Sequence, residues 1–191
     1  MNKHALLKVL TSAGVAASLV VGTDAVHQEN ETNTAEASET ESHNYNYKGD
    51  TGHGNGSFIL DSDFKKTLET DGKLNFNGYN IEASERDYIE SSEDGGPVEI
   101  KEVYDQKITL YGDSISSTKL DFPIKPVELP IEDVIDAYGD DYDIHPGHDG
   151  TYDTYVYLLG DQKDDTEKNE LALKVKDGDV TNGIIGYNSS Y

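Results

Sequence analysis

The stretch LALKVKDGDVTNGIIGY, residues 171–187, decides the fold class. Apolar side chains alternate with polar or small ones in its first half, which is the period-two pattern of a strand with one buried face: Leu171, Leu173 and Val175. Asp177-Gly178 then supplies a tight turn, and residues 180–187 return as a second apolar strand. With a further strand at 152–159, this third of the chain is predicted to form an antiparallel sheet.

The preceding part of the chain continues the strand-and-turn pattern. Asn77-Gly78 lies between short apolar runs at 74–76 and 79–81 and is a strong hairpin signal. Further strands are predicted at 98–104, 107–111 and 119–122, before prolines that interrupt the chain: Pro123, Pro126 and Pro130. The acidic, turn-rich segment 82–96 is predicted to be an exposed loop.

Two short helices are predicted. The first begins at the capping pair Asp61-Ser62, carries Phe64 and Leu68 on one face, and ends before Gly72. The second covers Ile131–Tyr138 between Pro130 and Gly139 and has one apolar stripe: Ile131, Val134, Ile135 and Tyr138. The predicted fold class is α+β, a single small domain with an antiparallel sheet of short strands and the two helices on one face.

Aromatic content marks where this domain begins. All 13 tyrosines and all 4 phenylalanines lie at or after Tyr45. Residues 26–44 contain five glutamates and no lysine, arginine or aromatic residue, so they cannot bury enough apolar surface to offset the entropy of ordering. We therefore predict a disordered acidic linker at 26–44 and a domain at 45–191.

The N-terminus has the pattern of a signal peptide. Basic Lys3 and Lys8 precede an uncharged run of 13 residues at 9–21, which is shorter than the roughly 20 residues of a spanning helix. Small residues suited to a peptidase follow at 23–25 and at 35–37. We predict a signal peptide at 1–25 with cleavage between 25 and 37, and a secreted protein without a membrane span after cleavage. The alternative is an uncleaved membrane anchor.

Composition excludes several classes of function. The 191 residues include 38 acidic and 15 basic side chains, for a formal net charge of −23, and no cysteine. Without cysteine there is no disulfide framework, no thiolate-ligated zinc or iron–sulfur site and no thiol catalysis. Residues 45–191 alone hold 32 acidic and 13 basic side chains, a net −19, which opposes binding to phosphate backbones.

Five short motifs stand in order along the domain: Tyr45-x-Tyr47-x-Gly49, Asn55-x-x-Phe58-Ile59-Leu60-Asp61-x-x-Phe64, Phe76-Asn77-Gly78, Tyr104-Asp105-Gln106 and Asp133-x-x-x-Ala137-Tyr138-Gly139-x-Asp141. This series resembles the immunodominant staphylococcal antigen B family, well over roughly residues 45–141 and weakly through the last strands. The resemblance implies a small secreted or surface-associated antigen, without enzymatic activity, for which nucleic-acid binding has been proposed.

Two segments carry candidate chemistry. Residues 108–114 resemble the Gly-Asp-Ser entry of GDS-type esterases, but no late Asp-x-x-His supplies a base for Ser114. His145-Pro146-Gly147-His148-Asp149 has further carboxylates nearby that could bind a divalent ion: Asp140, Asp141, Asp143 and Asp153. The alternative is a solvated, turn-forming loop. The pairs Asp141/Asp143 and Asp177/Asp179 begin like calcium loops without completing one.

Tyrosines and lysines offer candidate binding surfaces. Tyr155 and Tyr157 alternate with Val156 and Leu158, so the tyrosine pair is predicted to face away from the aliphatic face. Such a pair can contact a partner, for which the acidic surroundings favour a protein over a nucleic acid, and the alternative is that these tyrosines serve only as strand formers. One basic cluster is predicted at the first helix, Lys65, Lys66 and Lys73, and a fold could gather a second: Lys101, Lys107, Lys119 and Lys125.

Three classes of function follow. The favoured one is a secreted, non-enzymatic binding module for a host or cell-surface protein. The second is an extracellular nucleic-acid-binding protein, which the resemblance supports and the charge opposes. The third is a hydrolase that uses Ser114 or the His145/His148 loop. We assign no catalytic, cofactor-binding or metal-binding residue.

Overall fold

The computed structural model describes residues 43–52, 56–70, 72–93, 98–111, 116–147 and 150–187. They lie within one unit of the chain, Glu39–Tyr191. The predicted signal peptide and all but the last two residues of the predicted linker lie outside the described residues.

Ten strands, β1 to β10 in chain order, join in one sheet over these residues: Tyr45–Tyr47, Leu74–Phe76, Tyr79–Ile81, Val98–Val103, Gln106–Tyr111, Ser116–Pro123, Asp143–Pro146, Asp153–Leu159, Asn169–Lys176 and Asp179–Ile185. Seven of them pair antiparallel in the spatial order β4-β5-β6-β10-β9-β8-β7. Strands β3, β2 and β1 continue the sheet from the start of β6. The predicted antiparallel sheet is confirmed, except that β1 with β2 and β3 with β6 are parallel.

Turn chemistry explains the hairpin predicted at Asn77-Gly78. Phe76 pairs with Tyr79 across it. Asn77 has φ 52° and Gly78 has φ 93°, and a type I′ turn, which matches strand twist, requires positive φ at both central positions. Strand β7, by contrast, was not predicted, because the proline and glycine of residues 145–149 indicate a turn.

Three α-helices lie among the described residues: α1, Ser62–Glu69; α2, Glu85–Glu93; and α3, Ile131–Tyr138. The prediction for α3 is confirmed at both ends, because Pro130 and Gly139 limit it. The prediction for α1 is confirmed at its start, where the N–H of Asp63 donates to the Asp61 carboxylate at 2.8 Å. Helix α1 ends at Glu69, three residues before Gly72.

Helix α2 shows that the expectation of a loop at 82–96 is wrong for residues 85–93, although none of these residues is buried. Ser84 and Asp87 form a reciprocal cap: the N–H of Asp87 donates to the Ser84 hydroxyl at 3.1 Å, and the N–H of Ser84 donates to the Asp87 carboxylate at 3.2 Å. No residue of α2 is buried, so the helix has no apolar stripe from which to predict it. Arg86 of this helix forms ion pairs with Asp164 and Glu167.

The core lies between the sheet and helices α1 and α3. Strand residues such as Phe122, Leu171 and Leu173 pack there with Phe64 of α1 and Val134 of α3. We call this side of the sheet the helix face. The opposite face carries a smaller buried group: Val156, Ala172 and Ile184. The predicted placement of these two helices on one face is therefore confirmed.

Candidate functional site

Three of the five motifs meet in one polar network centred on Asp105. This carboxylate, in the turn between β4 and β5, accepts hydrogen bonds from the N–H of Thr51 at 2.9 Å, from the Thr51 hydroxyl at 3.1 Å and from the N–H of Gly52. Although partial burial opposes ionisation, these hydrogen bonds lower the pKa of Asp105. The charged carboxylate thus fastens the segment after β1 to the β4–β5 turn.

Gln106 and Asn77 extend the network around Gly49. The buried Gln106 amide donates to the Gly49 carbonyl at 2.7 Å, and Asn77 donates to the Gln106 side-chain oxygen at 2.8 Å. The N–H of Gly49 donates back to Asn77 at 2.8 Å. Because these polar groups bond to one another across as many as 57 residues of sequence, the network stabilises the fold.

The other two motifs hold α1 and α3 together. The Tyr138 hydroxyl donates to the carbonyl of Ile59 at 2.7 Å, and the Lys65 ammonium donates to the carbonyl of Ala137 at 2.5 Å. Phe58 lies within 5.8 Å, centroid to centroid, of four aromatic rings: Tyr47, Phe64, Phe76 and Phe122. These contacts of the motif residues are therefore architectural.

The predicted hydrolase residues are only partly described. Ser114, His148 and Asp149 lie outside the described residues. His145 lies on β7 and lines a cleft of about 200 Å³ together with four carboxylates: Glu85, Asp143, Asp165 and Glu170. Among the described residues lining this cleft there is no hydroxyl or thiol nucleophile.

The metal hypothesis gains no support from the described part of the chain. Within it, no group of three or more histidine, aspartate or glutamate side chains is placed to hold a metal ion. This holds for Asp141 and Asp143 and for Asp177 and Asp179, which begin the incomplete calcium patterns. His145 is the described histidine of the predicted loop.

The lysines do not form a continuous basic surface over the described residues. The Lys65 ammonium donates to the carbonyl of Ala137 and lies 3.5 Å from the Glu69 carboxylate. In the predicted cluster with Lys66 and Lys73, the charge of Lys65 is therefore already paired within the protein. In the second predicted set, Lys101 lies on the helix face, 5.8 Å from the ring centroid of Tyr79, and Lys125 pairs with Glu128 at 2.6 Å. The other members, Lys107 and Lys119, lie on the opposite face.

A cluster of four tyrosines corrects the predicted orientation of β8. Tyr157 is 1% exposed and belongs to the core on the helix face, whereas Leu158 is 42% exposed. The tyrosine pair therefore faces α3 and not away from the aliphatic core. Ring centroids lie 5.0 to 5.5 Å apart within what we call the tyrosine cluster: Tyr138, Tyr142, Tyr155 and Tyr157.

An acidic cleft opens beside the tyrosine cluster. It has a volume of about 320 Å³, and its lining includes Tyr138, the buried Tyr157 and three carboxylates: Glu69, Asp141 and Asp161. No lysine or arginine is among the described residues that line it. We call it the acidic cleft. Its three carboxylates suit a cationic group.

Burial raises the pKa of the tyrosine hydroxyls beside the cleft. For Tyr138, burial and then the charge of Glu69 raise the pKa well above the ordinary value of 10.0. For Tyr157, burial and then the neighbouring Tyr142 and Tyr155 raise it. At neutral pH the rings are therefore neutral, and the negative charge of the cleft comes from its carboxylates.

A larger cleft of about 440 Å³ lies near α2 and has a mixed lining. Cationic Lys73 and Arg86 line it together with acidic Glu82, Asp87 and Glu167. Arg86 is already paired with Glu167 and, at 2.9 Å, with Asp164. Opposite charges that pair with one another leave this cleft without a clear charge preference.

The family model for immunodominant staphylococcal antigen B matches residues 44–185 of the chain. Because this match covers most of the chain, the protein belongs to that family. Searches of curated proteins and of solved structures each found no match. Over the described residues, no helix has the length and apolarity needed to span a membrane.

Proposed function

We propose that this member of the antigen B family is a secreted, non-enzymatic binding protein whose partner is a cationic segment of a host or cell-surface protein. The observation that carries the proposal is the acidic cleft, in which three carboxylates line about 320 Å³ beside the tyrosine cluster. A lysine or arginine side chain has the charge and the apolar stem for such a surface.

One lysine of the chain already interacts with a tyrosine ring and a carboxylate of this cleft. The Lys65 ammonium lies 5.4 Å from the ring centroid of Tyr138 and 3.5 Å from the Glu69 carboxylate. Aromatic faces attract cations by about 0.5–1 kcal/mol at exposed sites. A second cation, from a partner, would reach Asp141 and Asp161 on the rest of the cleft.

An apolar contact adjoins the cluster. Ile144 pairs with Tyr155 across β7 and β8, so both side chains lie on the helix face, and Ile144 is 48% exposed. Partner residues that flank the cation can bury this surface. The net charge of −19 over residues 45–191 attracts a cationic partner from a distance, and the attraction weakens with salt.

The same charges oppose the nucleic-acid alternative. Lys107 and Lys119 lie on the opposite face of the sheet, but Asp121 lies between them in register with Lys107. Binding to duplex DNA requires several phosphates to be neutralised at once. This arrangement therefore favours a protein partner.

The test is fluorescence anisotropy with a labelled deca-arginine peptide as the probe. The cleft variant combines Glu69→Gln, Asp141→Asn and Asp161→Asn. The matched control changes the net charge equally on exposed residues elsewhere: Glu90→Gln, Glu93→Gln and Asp177→Asn. Circular dichroism checks that both variants fold.

The cleft variant is expected to bind the peptide about tenfold more weakly, because three exposed ion pairs contribute roughly 0.6–3 kcal/mol together. The control variant is expected to lose less than about threefold, by long-range charge alone. Equal losses in both variants would show that overall charge, and not the cleft, binds the peptide. A peptide that does not bind the unchanged protein would refute the proposal.

A further inference from the structure

The antiparallel part of the sheet ends in two strands of different character. Strand β7 has four residues and ends in Pro146, which has no N–H to offer to another strand. Strand β4 has six residues and no proline, and among the described residues it pairs only with β5. A long edge of this kind presents unpaired backbone groups to any strand that can approach it.

Strand β4 also exposes apolar side chains. Val98 is 55% and Ile100 is 64% exposed. Their neighbours Glu99 and Lys101 pair with Leu110 and Ile108, which are buried in the core, so the charged residues lie on the helix face. Val98 and Ile100 therefore lie together on the opposite face.

The hairpin geometry determines which backbone groups point outward. A two-residue turn joins Val103 to Gln106, and the residues that flank such a turn exchange both hydrogen bonds. Since the pattern alternates, Lys101 and Glu99 also bond to β5. The N–H and C=O of Ile100 consequently point to the open edge.

Symmetry limits how a second copy could pair with this edge. Two antiparallel copies related by a two-fold axis must place one residue opposite itself. Registers centred on Glu99, Lys101 or Glu102 set like charges opposite one another, which destabilises a sheet. The register centred on Ile100 sets Ile100 against its copy and sets each Glu99 against the Lys101 of the other copy.

We propose that two copies of this chain pair antiparallel through β4, about a two-fold axis at Ile100, and form one continuous sheet. In this interface the two Ile100 side chains lie side by side on the opposite face. On the helix face, two ion pairs form between Glu99 of one copy and Lys101 of the other. Its partner is a second copy because the charge pattern of the strand is complementary to itself. The inference does not depend on the acidic cleft.

Overall charge opposes this association. Each domain carries a net −19, and screening acts over about 8 Å at physiological ionic strength. The dimer fraction at a given protein concentration is therefore expected to rise between about 10 and about 150 mM NaCl. This direction is opposite to that of a dimer held mainly by ion pairs.

Sedimentation velocity of the mature protein, over roughly 1–200 μM at about 150 mM NaCl, tests the proposal. Ile100→Lys is expected to raise the dimer dissociation constant at least about tenfold, because it sets two ammonium groups opposite each other. The matched control is Ile89→Lys, at an exposed isoleucine of α2. It makes the same change in net charge and should leave the dimer unchanged.

A charge exchange tests the register. Lys101→Glu is expected to weaken the dimer, since it sets carboxylates opposite one another, and adding Glu99→Lys is expected to restore it. Circular dichroism confirms that each variant folds. A protein that stays monomeric throughout this range, or a dimer that neither Ile100→Lys nor the charge exchange alters, would overturn the proposal.

Discussion

Replacing Asp105 with asparagine tests the polar network that joins three of the family motifs. The carboxylate accepts from the N–H and hydroxyl of Thr51 and from the N–H of Gly52. Asparagine keeps one acceptor oxygen and turns an amide N–H₂ toward the remaining donors. The variant therefore loses the charge and leaves at least one backbone donor of a buried segment without its acceptor.

The expected cost follows from these contacts. A hydrogen bond to a charged group contributes about 1.5–3 kcal/mol, and a buried donor left unsatisfied costs about 1–3 kcal/mol. Since asparagine preserves part of the network, we expect Asp105→Asn to lower the free energy of unfolding by about 2–3 kcal/mol at pH 7.

The pH dependence of the free energy of unfolding is a second test of the Asp105 carboxylate. The pKa of Asp105 is lower in the folded protein, so its contribution is present above the unfolded value of about 4 and is lost as the pH falls through the folded value. The difference between the original protein and the variant should therefore be largest near neutral pH and shrink below about pH 4.

Urea unfolding followed by circular dichroism measures both quantities. Asp136→Asn, on the exposed side of α3, is the matched control for the loss of one negative charge. A loss below about 0.5 kcal/mol for Asp105→Asn, or one equal to the control, would refute the role of the network.

Three further predictions concern charge, alkaline pH and processing. The melting temperature should rise between about 10 and about 150 mM NaCl, because screening reduces repulsion within a domain of net charge −19, and a flat or falling value would contradict this. Burial and then the charge of Asp61 raise the pKa of Tyr45 to about 12. The contribution of Tyr45 to the free energy of unfolding is therefore fully present below about pH 10 and is lost as the pH rises toward 12. Tyr45→Phe should remove this part of the loss of stability at alkaline pH, as measured by urea unfolding. N-terminal sequencing of secreted protein should find a start between residues 25 and 38, whereas Met1 on that material would contradict the predicted signal peptide.

Local signals account for the elements that could be predicted from the sequence. Helix α3 was predicted at both ends because Pro130 and Gly139 limit it and an apolar stripe fills it. Helix α2 was missed because its only local signal is the capping box of Ser84 and Asp87, while its contacts through Arg86 reach Asp164, 78 residues away.

The candidate site was less predictable for a physical reason. In β8, two tyrosines alternate with Val156 and Leu158, so either face of the strand could be the buried one. The buried face is determined by Tyr138 and Tyr142, whose rings pack against the tyrosine face from outside the strand. The acidic cleft likewise combines Glu69 with Asp161, which no local pattern connects.

The most direct test of a cationic protein partner compares two probes on the same protein. Anisotropy of labelled deca-arginine and of labelled duplex DNA is followed across a salt series at pH 7. We predict saturable peptide binding at about 150 mM NaCl that weakens with salt, and no measurable DNA binding. The four strand lysines of the opposite face, Lys107, Lys119, Lys174 and Lys176, allow a salt slope of at most about −3.6. Sub-micromolar DNA binding at that salt, lost on replacing Lys107 and Lys119, would contradict the account.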